Sequence, residues 1–118
     1  MKNSTLMAAL DCCPVKVNPL WIICRHPECG SVYAIARGVT PNGCVIVVPD
    51  RHDLEGLAVD EVRDMLGHLS PDMQITVILA GWDDDTEEVV LNESNLRYAI
   101  DSVTIGDETT INCRRVLS

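Results

Sequence analysis

Short apolar runs separated by turn residues fill the first half of the chain, a pattern typical of β-strands. The Asn42-Gly43 pair favours a hairpin, because both residues tolerate positive φ. Residues 15–49 therefore predict an N-terminal meander of three strands. These strands are Leu20–Cys24, Ser31–Arg37 and Cys44–Val48.

The periodicity changes after a polar loop at 50–56. Apolar residues then recur at helical spacing, which predicts one amphipathic helix over residues 57–69. Pro71 cannot continue a helix, so the helix should end just before it. The apolar stripe consists of Val59, Val62, Met65, Leu66 and Leu69.

The C-terminal half returns to alternating apolar and polar positions. The acidic stretch 81–85 is predicted to be a loop, and no internal repeat is visible. This order of elements predicts an α+β fold, an antiparallel or mixed sheet of about six to seven short strands with one helix packed on it. We expect one domain over residues 1–118, with the helix and the C-terminal strands in 57–118. The predicted strands here are Gln74–Ala80, Glu87–Leu91, Leu96–Ile105 and Thr109–Val116.

The composition, 47% hydrophobic and 23% charged, is that of a globular protein. The apolar run Leu6–Leu10 is too short for an export signal, and Asp11 stands where a small residue would be needed. No later stretch is long and apolar enough to span a bilayer. We therefore expect a soluble, cytoplasmic protein.

Acidic residues are concentrated in the second half. Residues 50–108 contain sixteen acidic residues against three arginines, within a formal net charge of −9 for the whole chain. Such a charge disfavours direct nucleic-acid binding and favours a protein partner with a basic surface, although it is also explained by solubility alone. The predicted partner-binding residues are Asp60, Glu61, Asp64, Asp83, Asp84, Asp85, Glu87 and Glu88.

The six cysteines should stay reduced in a chain without an export signal. Cys24 and Cys29 flank a turn that resembles one knuckle of a zinc ribbon, and His26, or Cys12 and Cys13, could complete the site. A second knuckle is absent from the sequence, so the alternative is that Cys24 is a small buried hydrophobe and Cys29 closes a turn. We therefore expect no cofactor, with zinc as the alternative.

Enzyme motifs are absent from the sequence: it contains no phosphate-binding glycine loop, no Gly-x-Ser-x-Gly and no His-Glu-x-x-His. A nucleophilic Cys24 or Cys29 activated by a histidine is a remaining alternative. The favoured prediction is a protein without enzymatic activity.

From Leu57 onward the chain resembles a type of small, uncharacterised acidic protein of phages and bacteria. Its size and charge also resemble those of phage-encoded inhibitors of host defence, including anti-CRISPR proteins. The resemblance implies an inhibitor that occupies a basic nucleic-acid site on a host defence complex. A zinc-stabilised or self-associating structural module is the alternative. The matching residues are Leu57, Val59, Glu61, Val62, Leu66, Pro71, Asp72, Asp83 and Asp84.

Overall fold

A computed structural model describes residues 1–26, 30–51, 53–91 and 96–116. The protein has an α+β fold, as predicted, with two helices and eight strands in the described part of the chain. The helices are α1 (Asn3–Asp11) and α2 (Val59–Gly67). The strands are β1 (Leu20–His26), β2 (Gly30–Val39), β3 (Cys44–Pro49), β4 (Thr76–Leu79), β5 (Gly81–Asp83), β6 (Glu88–Val90), β7 (Leu96–Thr104) and β8 (Thr109–Arg115).

Six of the strands form a closed barrel in the order β1-β2-β3-β4-β7-β8. Four neighbouring pairs are antiparallel, whereas β3 with β4 and β8 with β1 are parallel. The mixed alternative was therefore the right one, but the sheet closes on itself. The remaining strands, β5 and β6, form a separate two-stranded hairpin. The prediction of a loop over residues 81–85 was wrong for β5.

The barrel consists of two halves with the same order of elements, α1-β1-β2-β3 and α2-β4-β7-β8. The N-terminus of each helix is bonded to the segment before the first strand of the other half: the Asn3 amide donates to the Met73 carbonyl oxygen, and the Val59 amide to that of Asn18. The pairing of the second and third strands of each half carries a register shift at an equivalent place, at Arg37 in β2 and at Asp101 in β7. The barrel is thus built from two structural repeats, which the sequence does not reveal.

The prediction of a single helix was wrong, because α1 precedes the barrel. Its buried positions, Asn3, Leu6 and Leu10, have the same spacing as Val59, Val62 and Leu66 of α2. With one polar residue among only three buried positions, α1 offers a weak apolar stripe. No helix in the described residues is long and apolar enough to cross a membrane.

The main core fills the barrel and continues under the two helices. A second, smaller apolar cluster lies on the outer surface, where Ile35, Val48 and Ala80 are buried. The loop after β3 and the β5–β6 hairpin cover it with Leu54 and Trp82. Strands β2 and β3 are therefore apolar on both faces, which explains their continuous apolar runs.

Candidate partner-binding face

Three adjoining clefts run across the outer surface of the barrel. The first, of about 370 Å³, lies between β1 and the loop after β3. Trp21 and Asp50 line this cleft and also a second one, of about 290 Å³. Leu54 lines the first cleft and also a third one, of about 390 Å³. These shared residues place the three clefts in a row.

Seven carboxylates line this row, which we call the acidic face. Among the described residues that line it, one is cationic, Arg37. Carboxylates in such number, on a low-dielectric wall, create a field that attracts cations and repels phosphates. The carboxylates belong to Asp50, Asp53, Glu55, Glu61, Asp84, Glu87 and Glu108.

Arg37 is already held in place. Its guanidinium donates to the Glu55 carbonyl oxygen at 2.7 Å, and its Cζ lies 5.1 Å from the centroid of the Trp82 ring. Its Nε is buried and has no hydrogen-bond partner. These contacts fix the guanidinium against the ring, in the geometry of a cation–π pair.

Ion pairs and turn bonds hold the loop and the hairpin together. Arg51 contacts both Asp53 and Asp84 at 2.8 Å, which ties the loop after β3 to the β5–β6 hairpin. The Asp83 carboxylate accepts from the Asp85 amide at 2.9 Å and so stabilises the hairpin turn. Glu61 accepts from the Ala58 amide at 3.0 Å at the start of α2.

The structure divides the predicted partner-binding residues into two groups. Glu61, Asp84 and Glu87 line the acidic face. Asp83, Asp85 and Glu88 belong to the β5–β6 hairpin, as Asp84 and Glu87 do, but line none of the three clefts. Asp60 and Asp64 line a different groove, which also contains Lys16 and Arg63. The eight predicted carboxylates therefore do not all line the same cleft.

Four carboxylates of the face, and its apolar floor, were not among the predicted site residues. The signal for Asp50, Asp53 and Glu55 was the acidic loop between a buried strand and a helix, whereas Glu108 gave none. Trp21 belongs to the apolar run of the predicted strand Leu20–Cys24. Its side chain is only partly buried and lines two of the clefts.

The proposed zinc ligands do not form a described site. Cys24 is fully buried inside the barrel beside Cys113, and burial raises the pKa of its thiol to about 12. His26 Nε2 lies 2.7 Å from the Tyr98 hydroxyl, with the two rings edge to face. Cys29 lies outside the described residues. Within the described residues, no three His, Cys, Asp or Glu side chains are grouped so that they could hold a metal ion.

The burial of Cys24 also affects its predicted role as a nucleophile. A thiol with a raised pKa stays protonated near neutral pH, and the protonated form is a poor nucleophile. The histidine nearest to Cys24 in sequence, His26, is bonded to Tyr98 instead. The Cys24 thiol is thus placed as a core side chain.

Comparison with known proteins adds no family: no protein-family model, curated protein or solved structure matches the chain.

Proposed function

We propose that the chain is a non-enzymatic binding protein whose acidic face occupies a basic site on a protein partner. The observation that carries this proposal is the lining of the three clefts by seven carboxylates, of which Asp53 and Asp84 are paired with Arg51, against one guanidinium that is already bonded. A partner that brings lysine or arginine side chains to this row would gain charge-assisted hydrogen bonds and faster association.

A basic surface that normally binds nucleic acid is the class of target we favour. Such surfaces carry many Lys and Arg side chains that contact phosphates, and clustered carboxylates compete for the same groups. The specific form of the proposal is a phage or mobile-element inhibitor that blocks the nucleic-acid site of a host defence complex. It is supported by charge and size alone.

Affinity capture from bacterial lysate, with and without competing DNA, tests the proposal. The informative variant is Glu87→Lys with Glu108→Lys, because both carboxylates are exposed and line the acidic face. Asp83 is left unchanged because it accepts from the turn amides. The matched control is Asp60→Lys with Asp64→Lys, which changes the charge equally in the other groove.

We expect the wild type and the control to retain the same partner, DNA to displace it, and the Glu87/Glu108 variant to lose it. Equal loss in both variants would mean that only net charge matters. Retention by the Glu87/Glu108 variant would show that the acidic face is not the binding site. A partner that DNA leaves bound would exclude a nucleic-acid site as the target.

A further inference from the structure

The closed barrel restricts how a partner can bind. Each of its six strands already has two neighbours, so the barrel presents no free edge on which a partner strand could add. A partner in the first and second clefts, neither of which is lined by the β5–β6 hairpin, must therefore bind through side chains. One recurring side-chain mode for a groove is an amphipathic helix with its apolar stripe in the groove.

An apolar strip runs through the first and second clefts. Trp21 lines both, Ile23 and Tyr33 line the second, and Val17 lines the first. Tyr33 is 61% exposed and Val17 is 73% exposed. Large apolar side chains grouped on a surface in this way mark an interaction site more often than isolated ones do.

Carboxylates line the same two clefts as this strip. Asp50, Glu55 and Glu61 line the first cleft, and Asp50 and Glu108 line the second. Neither lining includes a lysine, arginine or histidine among the described residues. An occupant must therefore combine apolar side chains with positive charge beside them.

We propose that these two clefts dock a basic amphipathic helix of a protein partner, with its apolar stripe on Trp21 and Tyr33 and its lysines or arginines facing the carboxylates. This inference rests on the proposed function and specifies the partner. A second copy of the chain is a poor occupant, because it carries the same carboxylates and a formal net charge of −9.

A synthetic peptide provides the test with the full-length protein. The probe is a labelled lysine–leucine peptide of about 18 residues, or about five helical turns, with its leucines on one face. One control peptide has the same composition in a scrambled order that removes the apolar face. Another replaces each leucine by serine and keeps the charge. Binding is measured by fluorescence anisotropy.

The variant is Tyr33→Ser, which removes an exposed ring. Its control is Val116→Ser, which changes an apolar residue that is 47% exposed and lines none of the three clefts. We expect Tyr33→Ser to weaken binding of the amphipathic peptide about tenfold. Val116→Ser should leave it unchanged, and both control peptides should bind more weakly.

The outcomes separate this inference from the proposed function. If the serine peptide binds as well as the amphipathic one, or Tyr33→Ser has no effect, the helix inference is wrong while acidic recognition stands. If the scrambled peptide binds as tightly as the amphipathic one, the clefts do not require an apolar stripe along a helix. If no basic peptide binds, both proposals fail. If sedimentation shows that the wild-type protein is a dimer and that Tyr33→Ser is a monomer, the occupant of the clefts is a second copy of the chain instead.

Discussion

The Asn3 side chain at the start of α1 donates to the Leu66 carbonyl oxygen near the end of α2, at 2.8 Å. Its amide nitrogen also reaches the carbonyl oxygens of Leu69 and Ser70 at 3.4 and 3.2 Å. The Leu66 carbonyl oxygen also accepts from the Leu69 amide at 3.1 Å, so Asn3 adds a second donor at the end of α2. One buried side chain thus joins the two halves of the fold.

Replacing Asn3 with alanine should lower the free energy of unfolding by about 1–3 kcal/mol, because the buried hydrogen bond from the Asn3 side chain to the Leu66 carbonyl oxygen is lost. Urea denaturation measures the change. Ser4→Ala is the control, since Ser4 is exposed in the same turn of α1. If the two variants are equally stable, the Asn3 amide is not an effective cap.

Alkaline pH should destabilise the protein through buried acids in the barrel. Burial raises the pKa of Cys24 from 9.0 to about 12 and that of Tyr98 from 10.0 to about 12. In the unfolded chain these groups ionise at their ordinary values, while the folded protein keeps its protons. Stability is therefore full below about pH 9 and falls as the pH rises toward 12.

Urea denaturation between pH 7 and about 10.5 measures this fall. Cys24→Ala should be less stable at pH 7, because it leaves a small cavity, but its stability should decline less steeply above pH 9. Parallel curves for the two proteins would contradict the burial-induced shift at Cys24.

The pattern of hydrophobic positions located β1, β2, β3 and α2 because each has a strong periodic or β-branched run. It did not locate β5, whose three residues include Trp82 and Asp83 beside an acidic turn. Nor did it reveal the repeat, because equivalent positions differ chemically: Asn3 corresponds to Val59, and Leu6 to Val62.

Closure of the barrel was beyond a pattern argument. It depends on the parallel pairing of β1 with β8, in which Cys24 faces Cys113 across most of the chain. Local periodicity identifies strands but not distant partners. For the same reason, charge predicted an acidic surface without showing that Glu61 and Asp84 share a face and Asp60 does not.

Thiol labelling of the folded protein should distinguish Cys12 from the other described cysteines. Cys12 is exposed, whereas Cys13, Cys24, Cys44 and Cys113 are buried. In a Cys29→Ser background, we expect one thiol to react quickly near neutral pH, and none once Cys12→Ser is added. A second fast thiol would contradict the burial and would renew the case for a reactive cysteine.

Metal removal should leave stability unchanged. With Cys24 inside the barrel and His26 bonded to Tyr98, zinc ligation by these residues would require the barrel to open. We expect the untagged protein to purify without stoichiometric zinc and to keep its Tm in EDTA. A Tm that falls in EDTA and returns with zinc would support the zinc-stabilised module.

Gly56 allows the loop after β3 to pack closely against the barrel. A Cβ at this position would lie 2.8 Å from the Ile35 Cβ, so Gly56→Ala must push the loop outward from β2. The first cleft is lined by Gly56 and by its neighbour Glu55. We therefore expect Gly56→Ala to cost about 1–3 kcal/mol of stability and also to weaken binding of the basic peptide.

Gly38→Ala is the matched control, because a Cβ there meets no atom within 4 Å. Its free energy of unfolding and its peptide affinity should stay close to those of the wild type. If Gly56→Ala loses stability but binds the peptide unchanged, the loop does not shape the binding cleft. If neither property changes, the close approach of Gly56 to Ile35 is wrong, and with it the packing that sets the width of the first cleft.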